Sequence, residues 1–284
     1  MKTALVLGTF DGLHEGHRAV LKKAEGFYTV AVTFDVPPKA FFTLKPELLM
    51  CSEDKNDGLL SLGVSEVFSL KFTDVCSMSA EEFFLFLKEK FSPKLIVCGF
   101  NYAFGAGAKG DTALLKDLCE QNSIDFCAVE AVGEGVPISS SYLRKLAVSG
   151  DIEEVNRHIY SGFGFKSEVL HGDSRGSLLG FPTINQAYPE NLVRIRFGVY
   201  KSRVIVDGKE YDSITNIGVR PTYKTDFIGC ETYIKDFSAD IYGKTVTLKF
   251  LKFIRDEEKF SDVKALERAV KDDIKSVLGI DINN

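Results

Sequence analysis

The sequence predicts an α/β domain followed by an antiparallel β domain with a terminal helix, and three observations carry that prediction. In the first half, short apolar runs at 4–7, 29–34, 67–70, 95–98 and 126–129 alternate with longer segments of helical spacing, such as 18–24 and 80–91. Alternating strand and helix signals make a parallel sheet covered on both faces. Between 165 and 254 the pattern changes to short β-branched and aromatic runs broken by turns, an antiparallel and barrel-like pattern. At the end, Leu266, Val270, Ile274 and Val277 recur at helical spacing and make one apolar stripe for packing. A chain of 284 residues favours two domains, expected here at 1–157 and 158–284.

Local signals support each element. Ser79 and Glu82 form a capping-box pair ahead of the helix at 80–91. Asp207-Gly208 between apolar-rich flanks reads as a hairpin turn, and 242–250 alternates at period two. Ser261 is the expected cap of the last helix.

Composition narrows the function classes. Net charge is −5, with the acidic excess in the first half and near balance in the second. Neither half has the basic excess of a nucleic-acid binder, so phosphate recognition must be local, at loops and helix ends. No apolar stretch approaches the ~18 residues of a membrane span, and the short run at residues 4–7 leads straight into Gly and Asp rather than into a signal-peptide cleavage site. The expectation is a cytoplasmic protein without membrane or nucleic-acid partners. The six cysteines form no C-x-x-C pair and no zinc spacing, so they read as small buried hydrophobes.

The first chemical motif is Gly8-Thr9-Phe10-Asp11-Gly12-Leu13-His14-Glu15-Gly16-His17. A strand ends, glycines allow a tight turn, and a helix begins whose free N–H groups and dipole favour an anion. His14 and His17, three apart, share a face of the first turn and can stabilise charge developing on a departing pyrophosphate. Far downstream, Ile138-Ser139-Ser140-Ser141-Tyr142-Leu143-Arg144 offers hydroxyls at a helix start and an Arg suited to clamping phosphate. Between them, 97–111 follows a strand and mixes glycines with aromatics around Asn101, Phe104 and Gly105, a composition suited to a flat ring approaching backbone.

In the second half, 171–185 is the most specific stretch: His171-Gly172, a Gly-rich run, then Gly180-Phe181-Pro182-Thr183-Ile184-Asn185. The glycines suit a flap over nucleotide phosphates, and Thr183 and Asn185 offer oxygen ligands for Mg²⁺. The segment 215–222 (Thr-Asn-Ile-Gly-Val-Arg-Pro-Thr), Glu231 with 232–244, and 254–260 follow.

These motifs resemble, in order and over roughly residues 4–274, those of the prokaryotic bifunctional riboflavin kinase/FAD synthetase family. The resemblance implies a Rossmann-like nucleotidylyltransferase domain, then a six-stranded antiparallel β-barrel riboflavin kinase domain with a terminal helix. It implies an enzyme that phosphorylates riboflavin to FMN and adenylylates FMN to FAD with release of pyrophosphate, using ATP and Mg²⁺. By the same carry-over, ATP for adenylylation sits on Gly8, Thr9, Phe10, Asp11, Gly12, His14, His17, Ser139, Ser140, Ser141 and Arg144, and the flavin on Asn101, Phe104 and Gly105. His14, His17 and Arg144 serve that transfer. Kinase ATP sits on His171, Gly172, Gly180, Phe181, Pro182 and Thr183, Mg²⁺ on Thr183 and Asn185, and Glu231 is the base. The expected partners are small molecules, and the expected state is a monomer or weak homo-oligomer. Two other readings are an adenylyltransferase for a different phosphate acceptor and a non-catalytic flavin sensor. The chain departs from the family pattern at Ser177, where Arg is usual, at Ile184, where Ala is usual, and after Phe34-Asp35, where Val36-Pro37-Pro38 lacks a histidine.

Overall fold

A computed structural model describes residues 2–38, 47–133, 137–171, 181–220 and 227–280. The chain divides into two compact units, Met1–Arg144 with His158–Ser161, and Lys145–Arg157 with Gly162–Asn284. The segment 145–157 therefore belongs with the second unit, although the sequence places it at the end of the first domain.

The first unit is a five-stranded parallel sheet of β1 (Thr3–Leu7), β2 (Tyr28–Phe34), β3 (Glu66–Leu70), β4 (Leu95–Gly99) and β5 (Asp125–Val129), in the order β3-β2-β1-β4-β5. Its helices are α1 (Glu15–Lys22), α2 (Ser52–Ser61), the single turn α3 (Phe72–Val75), α4 (Ala80–Phe91) and α5 (Thr112–Gln121), followed by α6 (Ser140–Ser149), which starts in this unit. Central strands buried on both faces explain why β1 is an unbroken apolar run, with residues 4–7 all buried. Leu5, Leu7, Val30 and Ile96 face one core with Phe83 and Phe84 of α4. Ala4, Val6, Ala31 and Val97 face another with Val20 and Leu21 of α1. The capping box forms as the sequence predicts: Glu82 N donates to Ser79 Oγ (3.1 Å) and Ser79 N to the Glu82 carboxylate (2.7 Å). The strand order reverses between β1 and β4, so the crevice at their carboxyl ends is where such a sheet takes a ligand. The His14–His17 turn leaves β1 there and the 100–110 loop leaves β4.

The second unit is antiparallel throughout. β6 (Gly164–Glu168), β7 (Thr183–Ala187), β8 (Gly198–Val206), β9 (Lys209–Arg220), β10 (Phe227–Ile234) and β11 (Thr245–Arg255) pair in the order β6-β11-β8-β9-β10-β7. The two edges approach each other: Leu170 N donates to Asn185 O (2.7 Å) and Gln186 Nε2 to Ser167 O (3.1 Å). Six hydrogen-bonded strands thus curl into a partly closed barrel. Its interior is aromatic, with Phe163, Phe165, Tyr200 and Phe250 fully buried. A chain of buried hydroxyls, Ser213–Ser202–Thr215–Thr232, crosses it at 2.7–2.8 Å spacings. The Asp207-Gly208 turn is left-handed at both residues (φ 49° and 80°), as a two-residue hairpin requires. Helix α7 (Ile152–His158) is tied to the barrel, for Asn156 Nδ2 donates to Phe250 O (2.9 Å) and its Oδ1 accepts from Phe163 N (2.7 Å).

The last helix, α8 (Val263–Leu278), starts one residue later than its expected cap implies. Asp262 is the N-cap, accepting from Ala265 N at 2.9 Å, while Ser261 donates its hydroxyl to Asp262. A carboxylate accepts strongly and also favours the positive helix end. The apolar stripe packs as expected, with Ile274 buried beside Val270 and Val277. Among the described residues no helix is long and apolar enough to cross a membrane.

Two candidate active sites

The first site is built by turns. Between Leu7 and α1, Phe10, Gly12 and Leu13 adopt left-handed backbone (φ 52°, 86° and 43°). Two non-glycine residues there are strained, and the strain is held by burying both side chains completely. The turn delivers His14 in extended conformation at the helix N-cap, with no side-chain cap bond, leaving first-turn amides open to an anion. The His14 and His17 rings stack with centroids 3.7 Å apart, and Phe10 lies 5.3 Å from His17. Gly16 leaves room for this stack: a Cβ there would lie 3.1 Å from His14 Cε1, so the ring would have to give by a few tenths of an ångström. Burial pushes the His14 pKa down to about 4, with His158 and Arg18 adding to the effect, and pushes that of His17 well below its ordinary value, with His14 and Lys55 adding there. Among the described residues neither Nδ1 has a hydrogen-bond partner. Both rings are therefore neutral at neutral pH, each able to donate one N–H without carrying a charge that would have to be desolvated.

The downstream serines join this turn across more than a hundred residues. Ser139 Oγ caps α6 by accepting from Tyr142 N (3.2 Å), and Ser140 Oγ donates to Asp11 O (2.9 Å), while Ser141 is exposed. Arg144 donates to Asp11 Oδ2 at 2.6 Å and to Glu47 O. Asp11 itself is buried and also accepts from Leu49 N at 2.8 Å. Burial raises its pKa, opposed by Arg144 and the Leu49 amide. Asp11 thus anchors Arg144 and the chain near 47–49, while Gly8 continues the sheet through Gly8 N to Val32 O (3.2 Å).

In the 100–110 loop, Asn101 is exposed beside Phe100, which is 45% exposed. Phe104 is buried, stacked on Tyr102 (5.8 Å), and paired through its backbone to Gly110. Gly105 (φ 72°) lies so close to α4 that a Cβ would come 2.6 Å from Ala80 N. Phe104 and Gly105 therefore pack the loop against α4, leaving Asn101 and Phe100 exposed just beyond the end of β4.

The second site is built by strand register. Asn185 on β7, Glu231 on β10 and Asn216 on β9 are direct cross-strand partners, so their side chains share one face. Thr183, two residues from Asn185, joins that face and donates Oγ1 to Glu231 Oε1 at 3.0 Å. Two cavities meet at Thr183. One, of about 260 Å³, is lined by Phe181, Asn216, Glu231, Tyr233 and Arg255 among others. The other, of about 190 Å³, is lined by Pro182, Ile184, Phe237, Asp240 and Tyr242. His171 stacks on Tyr242, centroids 4.0 Å apart, beside the second cavity. Arg255 is fixed in the first by a bidentate pair with Asp273 (2.7 and 3.0 Å). Gly172, Gly180, the departure at Ser177 and the end of the 215–222 motif, Pro221-Thr222, lie outside the described residues. Among the described residues no cluster of three His, Cys, Asp or Glu forms a metal site; Thr183 and Asn185 supply oxygen donors suited to a hard cation shared with phosphates.

Sequence reasoning left out three groups that the structure adds. Asn216 lay inside a quoted motif, and its register opposite Glu231 was the missing signal. Arg255 and Asp273 meet only because β11 and α8 pack together. Lys55, buried near the first turn, belongs to no motif.

Comparisons with known proteins match each half of the chain to a family. The FAD synthetase family model matches residues 1–142 and the riboflavin kinase model residues 160–280. A bifunctional riboflavin kinase/FMN adenylyltransferase from Listeria monocytogenes is 31% identical over 92% of this chain and 87% of its own. That of Bacillus subtilis is 29% identical over 96% and 90%. A crystal structure named as a macrolide-efflux protein from Streptococcus pneumoniae superimposes with a TM-score of 0.88 at 28% identity, covering 98% of this chain and 94% of that one. With both family models and relatives spanning almost its full length, the chain belongs to the bifunctional riboflavin kinase/FMN adenylyltransferase family.

Proposed function

We propose that the second unit transfers the γ-phosphoryl group of ATP to riboflavin, giving FMN and ADP, and that the first transfers the AMP moiety of a second ATP to FMN, giving FAD and pyrophosphate. The observation that carries the kinase assignment is the Thr183–Glu231 hydrogen bond at the junction of two cavities. A flat apolar flavin suits the cavity with Phe181 and Tyr233, and a nucleotide suits the one beside His171 and Tyr242. Glu231 faces the first and takes the proton of the attacking hydroxyl as the O–P bond forms and the β–γ bridge breaks. Thr183 and Asn185 would hold Mg²⁺, which neutralises phosphate charge there.

In the first unit a phosphate oxygen of FMN attacks Pα of ATP and the α–β bridge breaks. Negative charge grows on the pyrophosphate, against the α1 amides, His14, His17 and Arg144. Neutral imidazoles placed by burial donate hydrogen bonds to it. Asn101 and Phe100 at the end of β4 are placed to meet the flavin. A different phosphate acceptor is disfavoured because a kinase that makes FMN sits on the same chain. In this reading the enzyme works on small molecules in the cytoplasm, as a monomer or weak homo-oligomer. Incubation with riboflavin, ATP and Mg²⁺ should yield FMN and then FAD on chromatography; riboflavin unchanged under those conditions would refute it.

A further inference from the structure

Lys55 is a lysine where helix geometry calls for a hydrophobe. It lies on α2 four residues before the fully buried Leu59, on the same helical face, and is itself only 4% exposed. Its helix presses against the His14–His17 turn: a Cβ on Gly58 would lie 2.4 Å from Leu13 Cδ1. The ammonium donates to Phe34 O (2.6 Å) and Thr33 Oγ1 (3.3 Å), and Thr33 Oγ1 donates on to Thr9 O (3.1 Å). Nζ thus sits at the carboxyl end of β2, one hydroxyl away from the backbone of the Gly8–Thr9 turn.

Two of its three N–H groups are committed, both to neutral oxygens. Among the described residues no carboxylate lies within ion-pair distance of Lys55. Asp11, its strongest acidic neighbour, is already engaged by Arg144 and the Leu49 amide. Asp35 is the other acidic group that acts on it, also beyond ion-pair distance. A buried ammonium without a directly paired carboxylate is costly, and such charges are kept where an anion arrives. Replacing Lys55 by an apolar residue of similar length would remove that cost, so the packing of α2 alone gives no reason for a cation here.

We propose that Lys55 is a phosphate-binding residue of the adenylylation site, its free N–H and charge meeting the polyphosphate of ATP from the β2 side while α1, His14 and His17 meet it from the β1 side. This rests on placing adenylylation at the His14–His17 turn. The polyphosphate is then held between a compact cation on α2 and neutral donors on α1, and the departing pyrophosphate leaves with its charge matched on two sides.

The test supplies FMN, ATP and Mg²⁺ to the intact chain and follows FAD formation and its inhibition by added inorganic pyrophosphate. Lys55→Met keeps the aliphatic stem and Lys55→Gln a neutral donor; the folding of each is checked by thermal unfolding. Loss of one charged contact to the leaving group should lower kcat by about 10²-fold and raise the pyrophosphate concentration needed for inhibition by about tenfold. A purely structural lysine would not move pyrophosphate inhibition in a folded variant. Folded Met and Gln variants with wild-type kcat and wild-type inhibition overturn the proposal. So does failure of both to fold, which assigns Lys55 to structure. His17→Ala run alongside separates the two levels: if it also keeps wild-type FAD formation the site itself is misplaced, and if it is inactive while Lys55→Met is not, only the lysine's role falls.

Discussion

The two candidate sites are built in opposite ways. In the parallel unit the chemistry lies beyond the ends of strands, on a turn whose strained residues and helix start are contiguous in sequence. In the antiparallel unit it lies on the strands, and Thr183, Glu231 and Asn216 meet only through the register of β7, β10 and β9. A turn-built site tolerates change in the strands that carry it but not in its own few residues. A register-built site depends on pairing along whole strands, because a one-residue slip moves every side chain to the other face.

The largest expected effect tests whether the sites are separate. Glu231→Gln should lower kcat for FMN formation by about 10²–10⁴-fold with little change in KM for ATP, while FAD formation from supplied FMN stays normal. Steady-state rates of both half-reactions check it, and a wild-type kinase kcat would move the base to Glu258 or Asp240. Next, His14→Ala or His17→Ala should each slow FAD formation by about 10²–10³-fold and leave FMN formation intact. An equal fall in both rates of a folded variant would dissolve the comparison.

A third test concerns where the units part. A fragment of residues 145–284 should fold and make FMN, whereas 163–284 should be less stable. The shorter piece loses the Asn156 bonds to Phe250 and Phe163 and the burial of Ile152 and Val155. Two such hydrogen bonds contribute about 1 kcal/mol each, so urea midpoints of the two fragments are the measurement. Equal midpoints would return the boundary to the point read from composition.

The smallest effect is on pH dependence. The His14 pKa falls from 6.5 to about 4 in the folded chain and that of His17 falls too. Between those values the unfolded chain takes up protons that the folded one excludes. Their contribution is therefore fully present above about pH 6.5 and is lost as pH drops toward 4. Thermal unfolding of the first unit should show a shallower decline between pH 6.5 and 4.5 in His14→Gln than in wild type. Parallel curves would mean that His14 is not held neutral by burial.

How legible each site was follows from the same contrast. The Gly8–His17 turn could be read directly, since a strand end, positive-φ glycine and helix start are neighbours in the chain. Even so, Phe104 and Gly105 read as ring-contacting residues, and the structure uses them to pack a loop on α4. An aromatic's burial depends on what lies across from it, and α4 is not local to it. In the barrel, Glu231 stood out through motif resemblance, but its cross-strand neighbour Asn216 needed the register.

The sequence alone determined the two fold classes, the strand positions of the parallel sheet, the hairpin at Asp207-Gly208 and the capping box at Ser79, because periodicity, left-handed turns and caps are settled within a few residues. Tertiary structure decided the rest. It assigned 145–157 to the second unit, gave Arg144 to Asp11, brought Arg255 to Asp273 and buried Lys55 beside the Gly8–Thr9 turn. Each of these joins residues far apart in sequence, or sets a charge by its burial, and only the packing of one element on another fixes such distances.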